Sequence, residues 1–222
     1  MHIDHVTGRD AFVGELALLL EIAGDLSEHD LLAASRCRGW TVADVLTHLH
    51  LGLQEMLLGI VSPTESTPTV DAATYWLQAP GNDDETSDTD HVGYVRRLTS
   101  AYQRPSGGIR HLTATGRAVM SAATSLPATN LDFQGHVIGS GDFYATWGVE
   151  LAVHHLDLGL ELIMEPPAAG ALDLAWQTVE DLAGGSFPPD LTPADVILIG
   201  TGRLPVPPRD HRFTDLTVPA FG

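Results

Sequence analysis

The segment from Phe143 to Ile163, FYATWGVELAVHHLDLGLELI, is the feature that most constrains the fold of this chain. Read as a helix that advances by roughly 100° per residue, it is apolar on almost every side except for one narrow polar stripe. A helix that borders solvent needs only one apolar face. The segment is therefore predicted to be a helix buried on most of its sides. The residues of its polar stripe are Glu150, His154, Asp157 and Glu161.

Charged side chains on a buried helix need partners, because buried charge is tolerated when it is paired or bound to a metal. Glu150 and His154 lie one helical turn apart on the stripe and are candidates to bind one metal ion together. Taken alone, these two residues have a competing interpretation, namely a helix face exposed at the edge of a domain. A metal site would need a third ligand from another part of the chain.

The composition predicts a single domain with a full hydrophobic core, since 44% of the 222 residues are hydrophobic. The formal net charge is −18, and all 11 basic residues are arginines. So acidic a surface argues against binding to nucleic acid or to anionic membranes, both of which need a basic footprint. Cys37 is the only cysteine, which excludes an intramolecular disulfide and a zinc site built from cysteines.

The N-terminal sequence MHIDHVTGRD has no basic region followed by an apolar run, so we expect no signal peptide. No apolar run approaches the length of a membrane span. We therefore expect a soluble cytoplasmic protein. A homodimer is a further hypothesis.

The spacing of apolar residues predicts an all-α protein, a four-helix bundle with a long crossover loop and a short C-terminal helical extension. We assign residues 1–185 to the bundle and 186–222 to an extension packed on it. We expect LDFQGHVIGSG to be an extended segment or a hairpin. Residues 62–90 are the predicted long loop, and Tyr75 and Trp76 suggest that part of this loop packs against the rest of the protein. Helices are predicted at about 9–26 with Thr7 as N-cap, 41–61 with a Thr41/Asp44 capping box, 91–103, 108–124, 143–163 with Ser140 or Asp142 as cap, 169–182 and 192–200.

The second long helix offers two candidates for the third ligand, His48 and His50. Measured from the centre of the apolar face, His50 lies at about 80° and His48 at about 120° on the opposite side. The angle slightly favours His50. However, Gly52 and Gly59 share the side of His48, where small residues allow a close helix or a cavity. The helical positions alone leave the choice open.

Three motifs resemble one known family. The segment WTVADVLTHL begins at Trp40 and has His48 as its ninth residue. It resembles the second-helix signature of the DinB-like superfamily. It is especially similar to the branch named for the mycothiol-dependent maleylpyruvate isomerase N-terminal domain. ELAVHHLDL resembles the E-x-x-x-H-x-x-D segment of that branch, and DVILIGTGR resembles its late D…TGR stretch. The three motifs occur in the expected order and together cover most of the chain.

The resemblance implies a four-helix bundle that holds a divalent metal, commonly zinc, through two histidines and one glutamate. By motif match, these ligands are His48, Glu150 and His154. Iron, nickel and manganese also suit this donor set. The resemblance further implies a low-molecular-weight, mycothiol-like thiol as co-substrate, and therefore a metal-dependent thiol transferase or a thiol-dependent isomerase acting on a small electrophilic metabolite.

Other residues receive roles around this site. Asp157 is predicted to accept the outer N–H of a metal-bound imidazole, that of His48 across the bundle. A carboxylated substrate and the sugar hydroxyls of the thiol favour arginines, for which Arg96, with its neighbour Arg97, and Arg203 are candidates. Trp147, one turn before the ligands, is predicted to contact the thiol. His50 and His155 are the alternatives to the named ligands, and Cys37 is expected to be incidental.

The isomerase that gives the family its name has an additional C-terminal domain, for which residues 186–222 are too few. We therefore do not expect maleylpyruvate isomerisation itself, and we expect the 62–90 loop to cover the pocket. Two other functions compete with the thiol-dependent enzyme. One is a non-catalytic protein that binds a metal or a small molecule, and the other is a metal-dependent hydrolase whose nucleophile is bound water.

Overall fold

The computed structural model describes residues 1–78, 85–208 and 210–221, and the side chains of 85–89 lie outside this description. The described residues form α-helices and a small sheet. The α-helices are α1 (His5–Asp25), α2 (Glu28–Leu31), α3 (Val42–Ile60), α4 (Glu85–Ser100), α5 (Ser106–Ser125), α6 (Ser140–Leu158), α7 (Ala169–Ala183) and α8 (Pro193–Gly200). The strands are β1 (Pro63–Thr64), β2 (Asn130–Phe133) and β3 (His136–Gly139), and short 3-10 helices span Thr74–Leu77 and His211–Phe213.

The bundle is built from α1, α3, α5 and α6, which confirms the all-α prediction. Helix α1 packs along α6 and α5, and α3 packs along α5 and α6. Helix α7 covers α6 and α1 from outside, and α8 packs on α7. In the described part of the chain, no helix is long and apolar enough to cross a membrane. The division of the chain at residue 185 remains a prediction.

Burial of α6 is as the sequence predicts. Among its 19 residues, only Trp147, Glu150 and Leu156 are not fully buried. The helix ends at Leu158, however, and not at Ile163. Glu161 therefore lies beyond the helix and outside the polar stripe, where its carboxylate accepts a hydrogen bond from the backbone N–H of Ala34 at 3.3 Å.

The N-terminal caps of the helices agree with the prediction for α3 but differ from it for α1 and α6. Thr41 and Asp44 form the predicted capping box at the start of α3, each side chain accepting from the backbone N–H of the other. Helix α1 begins earlier than predicted, because the carboxylate of Asp4, and not Thr7, accepts from the first backbone N–H groups. Helix α6 has no side-chain cap, so neither Ser140 nor Asp142 serves as one.

The predicted hairpin is present as β2 and β3, and β1 from the 62–90 loop joins its edge. That loop also forms the 3-10 helix in which Tyr75 is buried, and the ring of Trp76 stacks on Phe221 with centroids 4.7 Å apart. Helix α4 starts at Glu85, before the predicted residue 91. Residues 79–84 of the loop lie outside the described chain.

Two glycines let α1 and α6 approach closely. A Cβ atom at Gly8 would overlap the carbonyl oxygen of Gly141, and a Cβ at Gly141 would overlap that of Ile3. Glycine is destabilising inside a helix by roughly 0.5–1 kcal/mol relative to alanine. At Gly8 this cost is offset because the helix that carries the polar stripe packs directly against α1.

We predict that Gly8→Ala destabilises the protein by about 1–3 kcal/mol, because the new methyl group forces the two helices apart. Gly14, on the same helix, has nothing within 4 Å of its would-be Cβ and provides the matched control. Gly14→Ala should leave stability unchanged or raise it by about 0.5–1 kcal/mol. Urea unfolding of both variants measures the difference. Equal stability of the two variants would contradict the close packing.

Candidate metal centre

Three side chains converge between α3 and α6. His48 Nε2 lies 3.0 Å from Glu150 Oε1, and His154 Nε2 lies 3.3 Å from the same oxygen. One potential ligand atom of each residue lies within 4.8 Å of the others. We call these three residues the His–Glu–His cluster. The structure thus brings together the three residues that the sequence motifs predict as metal ligands.

The geometry of α3 and α6 separates His48 from the other histidines. The ring of His50 is buried on another side of α3, where it faces His111 of α5 with centroids 6.1 Å apart. His155 points to α1, and its Nδ1 contacts the buried Glu15 carboxylate at 2.7 Å. Neither His50 nor His155 lies in the cluster.

The cluster is open to solvent on one side. The side chains of His48 and Glu150 keep 20% and 23% of their surface exposed, whereas His154 keeps 8%. Solvent therefore reaches the cluster from the side of His48 and Glu150. Three protein ligands would leave a coordination position for substrate or water, which is the pattern of catalytic zinc sites.

Two groups of the cluster are in the protonation state that binds a metal ion. Burial raises the pKa of Glu150, but the neighbouring His154 and His48 outweigh it and hold the pKa well below its usual value. Burial lowers the pKa of His48, and its hydrogen bond to Glu150 does not reverse the shift. The carboxylate is thus ionised and the His48 imidazole neutral at neutral pH, and these are the protonation states that bind metal.

His154 has the opposite shift. Burial lowers its pKa, but the carboxylates of Glu150 and Asp157, together with Cys37, raise it well above the usual value. A metal ion at the cluster would therefore displace a proton from this imidazole.

Asp157 orients His154 and not His48, which corrects the prediction. Its Oδ2 lies 2.9 Å from Nδ1 of His154, three residues earlier on α6. A carboxylate at this position fixes the ring and directs the other nitrogen, Nε2, toward Glu150. The other ring nitrogen of His48, Nδ1, lies 3.3 Å from Nε2 of His91 on α4.

Asp157 is fully buried, and its charge has two partners, His154 and Arg203. Arg203 Nε donates to both carboxylate oxygens, at 2.8 and 3.0 Å. Burial raises the pKa of Asp157, yet His154 and Arg203 hold it well below its usual value. Arg203, which follows α8, was predicted to bind the thiol. Its contact with Asp157 connects it to the cluster through His154.

Cys37 was expected to be incidental, but it contacts two residues beside the cluster. Its thiol donates to Asp157 Oδ2 at 3.1 Å and lies 3.8 Å from Nδ1 of His154. The loop that carries Cys37 is fastened to α6, since the backbone N–H of Arg36 donates to the carbonyl of Asp157 at 3.0 Å. Helical periodicity gives no signal for this contact, because Cys37 lies in a loop.

An aromatic wall flanks His48. The ring of Trp40 lies 5.2 Å from that of His48 and 5.9 Å from that of His91, measured between centroids. Its Nε1 donates to the carbonyl of Val92 at 3.5 Å, which ties α4 to the start of α3. Trp40 and His91 are thus neighbours of the site that sequence reasoning missed.

The remaining predicted residues lie farther from the cluster. Trp147 is partly buried and packs over Gly52, whose would-be Cβ lies 3.0 Å from the indole ring. The small residue on this side of α3 therefore accommodates an aromatic ring and does not leave a cavity. Arg96 and Arg97 are exposed on α4, and no contact within the described part of the chain joins either of them to the cluster. The catalytic role of Arg96 remains a prediction.

We predict that Arg203→Met destabilises the protein by about 2–4 kcal/mol, because the buried Asp157 carboxylate loses the charge-assisted hydrogen bonds of Arg203 and keeps only His154 as a charged partner. In the double variant Asp157→Asn, Arg203→Met, the total cost should be smaller than the sum of the single costs. Arg212→Met is the control, since the ion pairs of Arg212 are half exposed and its loss should change stability little. Urea unfolding measures these three variants and the single variant Asp157→Asn, and strictly additive effects would contradict the coupling.

The chain matches the family described as mycothiol maleylpyruvate isomerase N-terminal domain over residues 13–159. No curated protein matches it. A crystal structure of a histidine-to-alanine mutant of the mycothiol-dependent maleylpyruvate isomerase aligns with a TM-score of 0.54 and 11% identity, covering 98% of this chain and 91% of that chain. At this identity the likeness is one of fold.

The coverage bears on one expectation, because 91% of that chain is aligned although residues 186–222 were expected to be too few for its additional C-terminal domain. The sequence match spans most of the bundle, from within α1 to the end of α6, and includes all three residues of the cluster. The chain belongs to the mycothiol maleylpyruvate isomerase N-terminal domain family.

Proposed function

We propose that this protein is a divalent-metal-dependent enzyme that uses a low-molecular-weight thiol of the mycothiol type. It transfers the thiol to a small electrophilic metabolite or isomerises that metabolite. The observation that carries the proposal is the convergence of His48, Glu150 and His154 on a solvent-accessible point, with ligand-atom separations of 3.0 and 3.3 Å.

The donor atoms fit a single metal ion. Zinc–nitrogen and zinc–oxygen bonds of about 2.0–2.2 Å imply neighbouring ligand atoms about 3.3–3.6 Å apart in tetrahedral geometry. The separation of 3.3 Å between Glu150 Oε1 and His154 Nε2 lies at the short end of this range, and the 3.0 Å between Glu150 Oε1 and His48 Nε2 is slightly shorter. Two histidines and one carboxylate leave a position for a further ligand, which is the pattern of catalytic zinc sites. Zinc is our first hypothesis, and iron, nickel or manganese also suit the donors.

The thiol enters the proposal through the family. The aligned crystal structure is that of a mycothiol-dependent isomerase, and the family carries the same name. A divalent metal lowers the pKa of a bound thiol and so supplies a thiolate at neutral pH. The protein's own contribution is to hold the three donors in place, with Asp157 fixing the His154 ring and Arg203 keeping Asp157 ionised.

We predict that purified protein holds about one divalent metal per chain and turns over an electrophilic substrate only when metal and thiol are both present. His154→Ala should lose most of the metal and the activity. His111→Ala, which removes an exposed histidine of α5, should retain both. Elemental analysis and a panel of maleyl and epoxide electrophiles, assayed with and without mycothiol, provide the measurements.

Three outcomes would contradict parts of this proposal. Full metal occupancy in His154→Ala would refute the ligand assignment. Turnover without any thiol would favour a hydrolase that uses bound water. Metal binding with no turnover across the panel would favour a non-catalytic binding protein.

A further inference from the structure

One stretch of this acidic chain has the opposite charge. Residues 91–131 contain no Asp or Glu, although the whole chain has 29 acidic and only 11 basic residues. We call this stretch the basic segment, and it covers most of α4, the turn to α5 and all of α5. Among the described residues, none of its arginines forms an ion pair. These arginines are Arg96, Arg97, Arg104, Arg110 and Arg117.

A cavity of about 550 Å³ lies where the basic segment turns from α4 to α5, against the C-terminal end of α1. Its volume falls within the range of about 300–1,000 Å³ that is common for small-molecule sites. Its lining includes Arg104 and Arg110 and no acidic residue. We call it the α4–α5 cavity.

The lining of the cavity has two chemical parts. Leu26 and Ile109 supply an apolar surface beside the Tyr102 ring, and the two arginines supply charge. Small-molecule sites typically combine a mostly apolar wall with a few polar groups that fix orientation. The guanidinium group suits carboxylates, sulfonates and phosphates because its N–H groups match two oxygens at once.

The Tyr102 wall is held in place by its neighbours. A Cβ at Gly107 would lie 3.1 Å from the Tyr102 ring, so glycine allows the ring to rest on the start of α5. The ring also packs against His111, with centroids 5.5 Å apart. The aromatic surface is therefore preformed, which lowers the entropic cost of binding a ligand.

Two acidic residues lie next to the cavity in the chain or in space, Asp25, which is exposed and outside the lining, and Glu28, which is already engaged. Glu28 accepts hydrogen bonds from the hydroxyl of Ser106 and from its backbone N–H, the latter at 3.3 Å. Glu28 is not part of the lining, and within the described chain it forms no ion pair with Arg104 or Arg110. Both arginines are exposed and available to a ligand.

We propose that the α4–α5 cavity binds a small organic anion, a carboxylate, sulfonate or phosphate carried on an apolar or aromatic body. Arg104 and Arg110 hold the anionic group, and Tyr102 and Ile109 pack against the body. The cavity shares no lining residue with the His–Glu–His cluster. The proposal is therefore independent of the proposed enzymatic function.

Anilinonaphthalene sulfonate, an aromatic anion whose fluorescence rises on binding, is the probe for a titration of the full chain. One site per chain is expected. Arg104→Gln and Arg110→Gln should each weaken the affinity about tenfold or more, since each removes charge-assisted hydrogen bonds. Arg117→Gln is the matched control, because Arg117 is an exposed arginine of the same segment outside the cavity. Its affinity should stay within about twofold of the parent.

Two further measurements make the test specific. Phenylnaphthylamine, the same body without the sulfonate, should bind about tenfold more weakly or worse. Removal of metal by a chelator should leave sulfonate binding unchanged, since the cavity lies apart from the cluster. Equal losses in all three variants would show that only the general charge of the segment matters. Those losses, or equal affinity for the two probes, would overturn the proposal.

Discussion

Burial of α6 on nearly all sides is the constraint on which the rest of this structure depends, because its polar side chains must find partners inside the protein. Each partner comes from a different part of the chain. Glu150 meets His48 from α3, His155 meets Glu15 from α1, and Asp157 meets Arg203 from beyond α8. The same contacts that satisfy α6 therefore tie the bundle and the C-terminal residues to one helix.

The polar side chains of α6 differ in solvent exposure. This difference distinguishes the buried residues that orient other side chains from the partly exposed one that can take part in a reaction. Asp157 has no exposed surface, and Glu15 likewise has none. Both serve to orient a histidine, His154 and His155 respectively. Glu150 is the carboxylate of α6 that keeps solvent access. Ligand exchange is feasible at Glu150, whereas removing a partner from the sealed contacts leaves a charge buried without compensation.

The sequence was informative wherever a property is local or periodic. The burial of α6 followed from its apolar periphery, and the start of α3 followed from Thr41 and Asp44. Motif resemblance favoured His48 over His50, a choice that helical angles alone left open. The structure places His48 in the cluster because the side of α3 that carries Gly52 faces α6, where Trp147 fills the space.

The errors concern contacts between segments that are distant in sequence. Asp157 was assigned to His48 across the bundle, yet its own helix places it beside His154, three residues away. Helical periodicity does not predict that Cys37 and His91 lie beside the site. Cys37 is in a loop and His91 is on α4, and both come close to the cluster only through the packing of the bundle. Glu161 was placed on the polar stripe because periodicity does not show that the helix stops at Leu158.

The central claim is that His48, Glu150 and His154 bind one metal ion together. X-ray absorption spectroscopy of zinc-loaded protein in thiol-free buffer tests it most directly. The account predicts only nitrogen and oxygen neighbours at about 2.0–2.2 Å, with the scattering pattern of two imidazoles. A sulfur neighbour at about 2.3 Å would contradict it, because it would place the ion at Cys37 with His154 and Asp157.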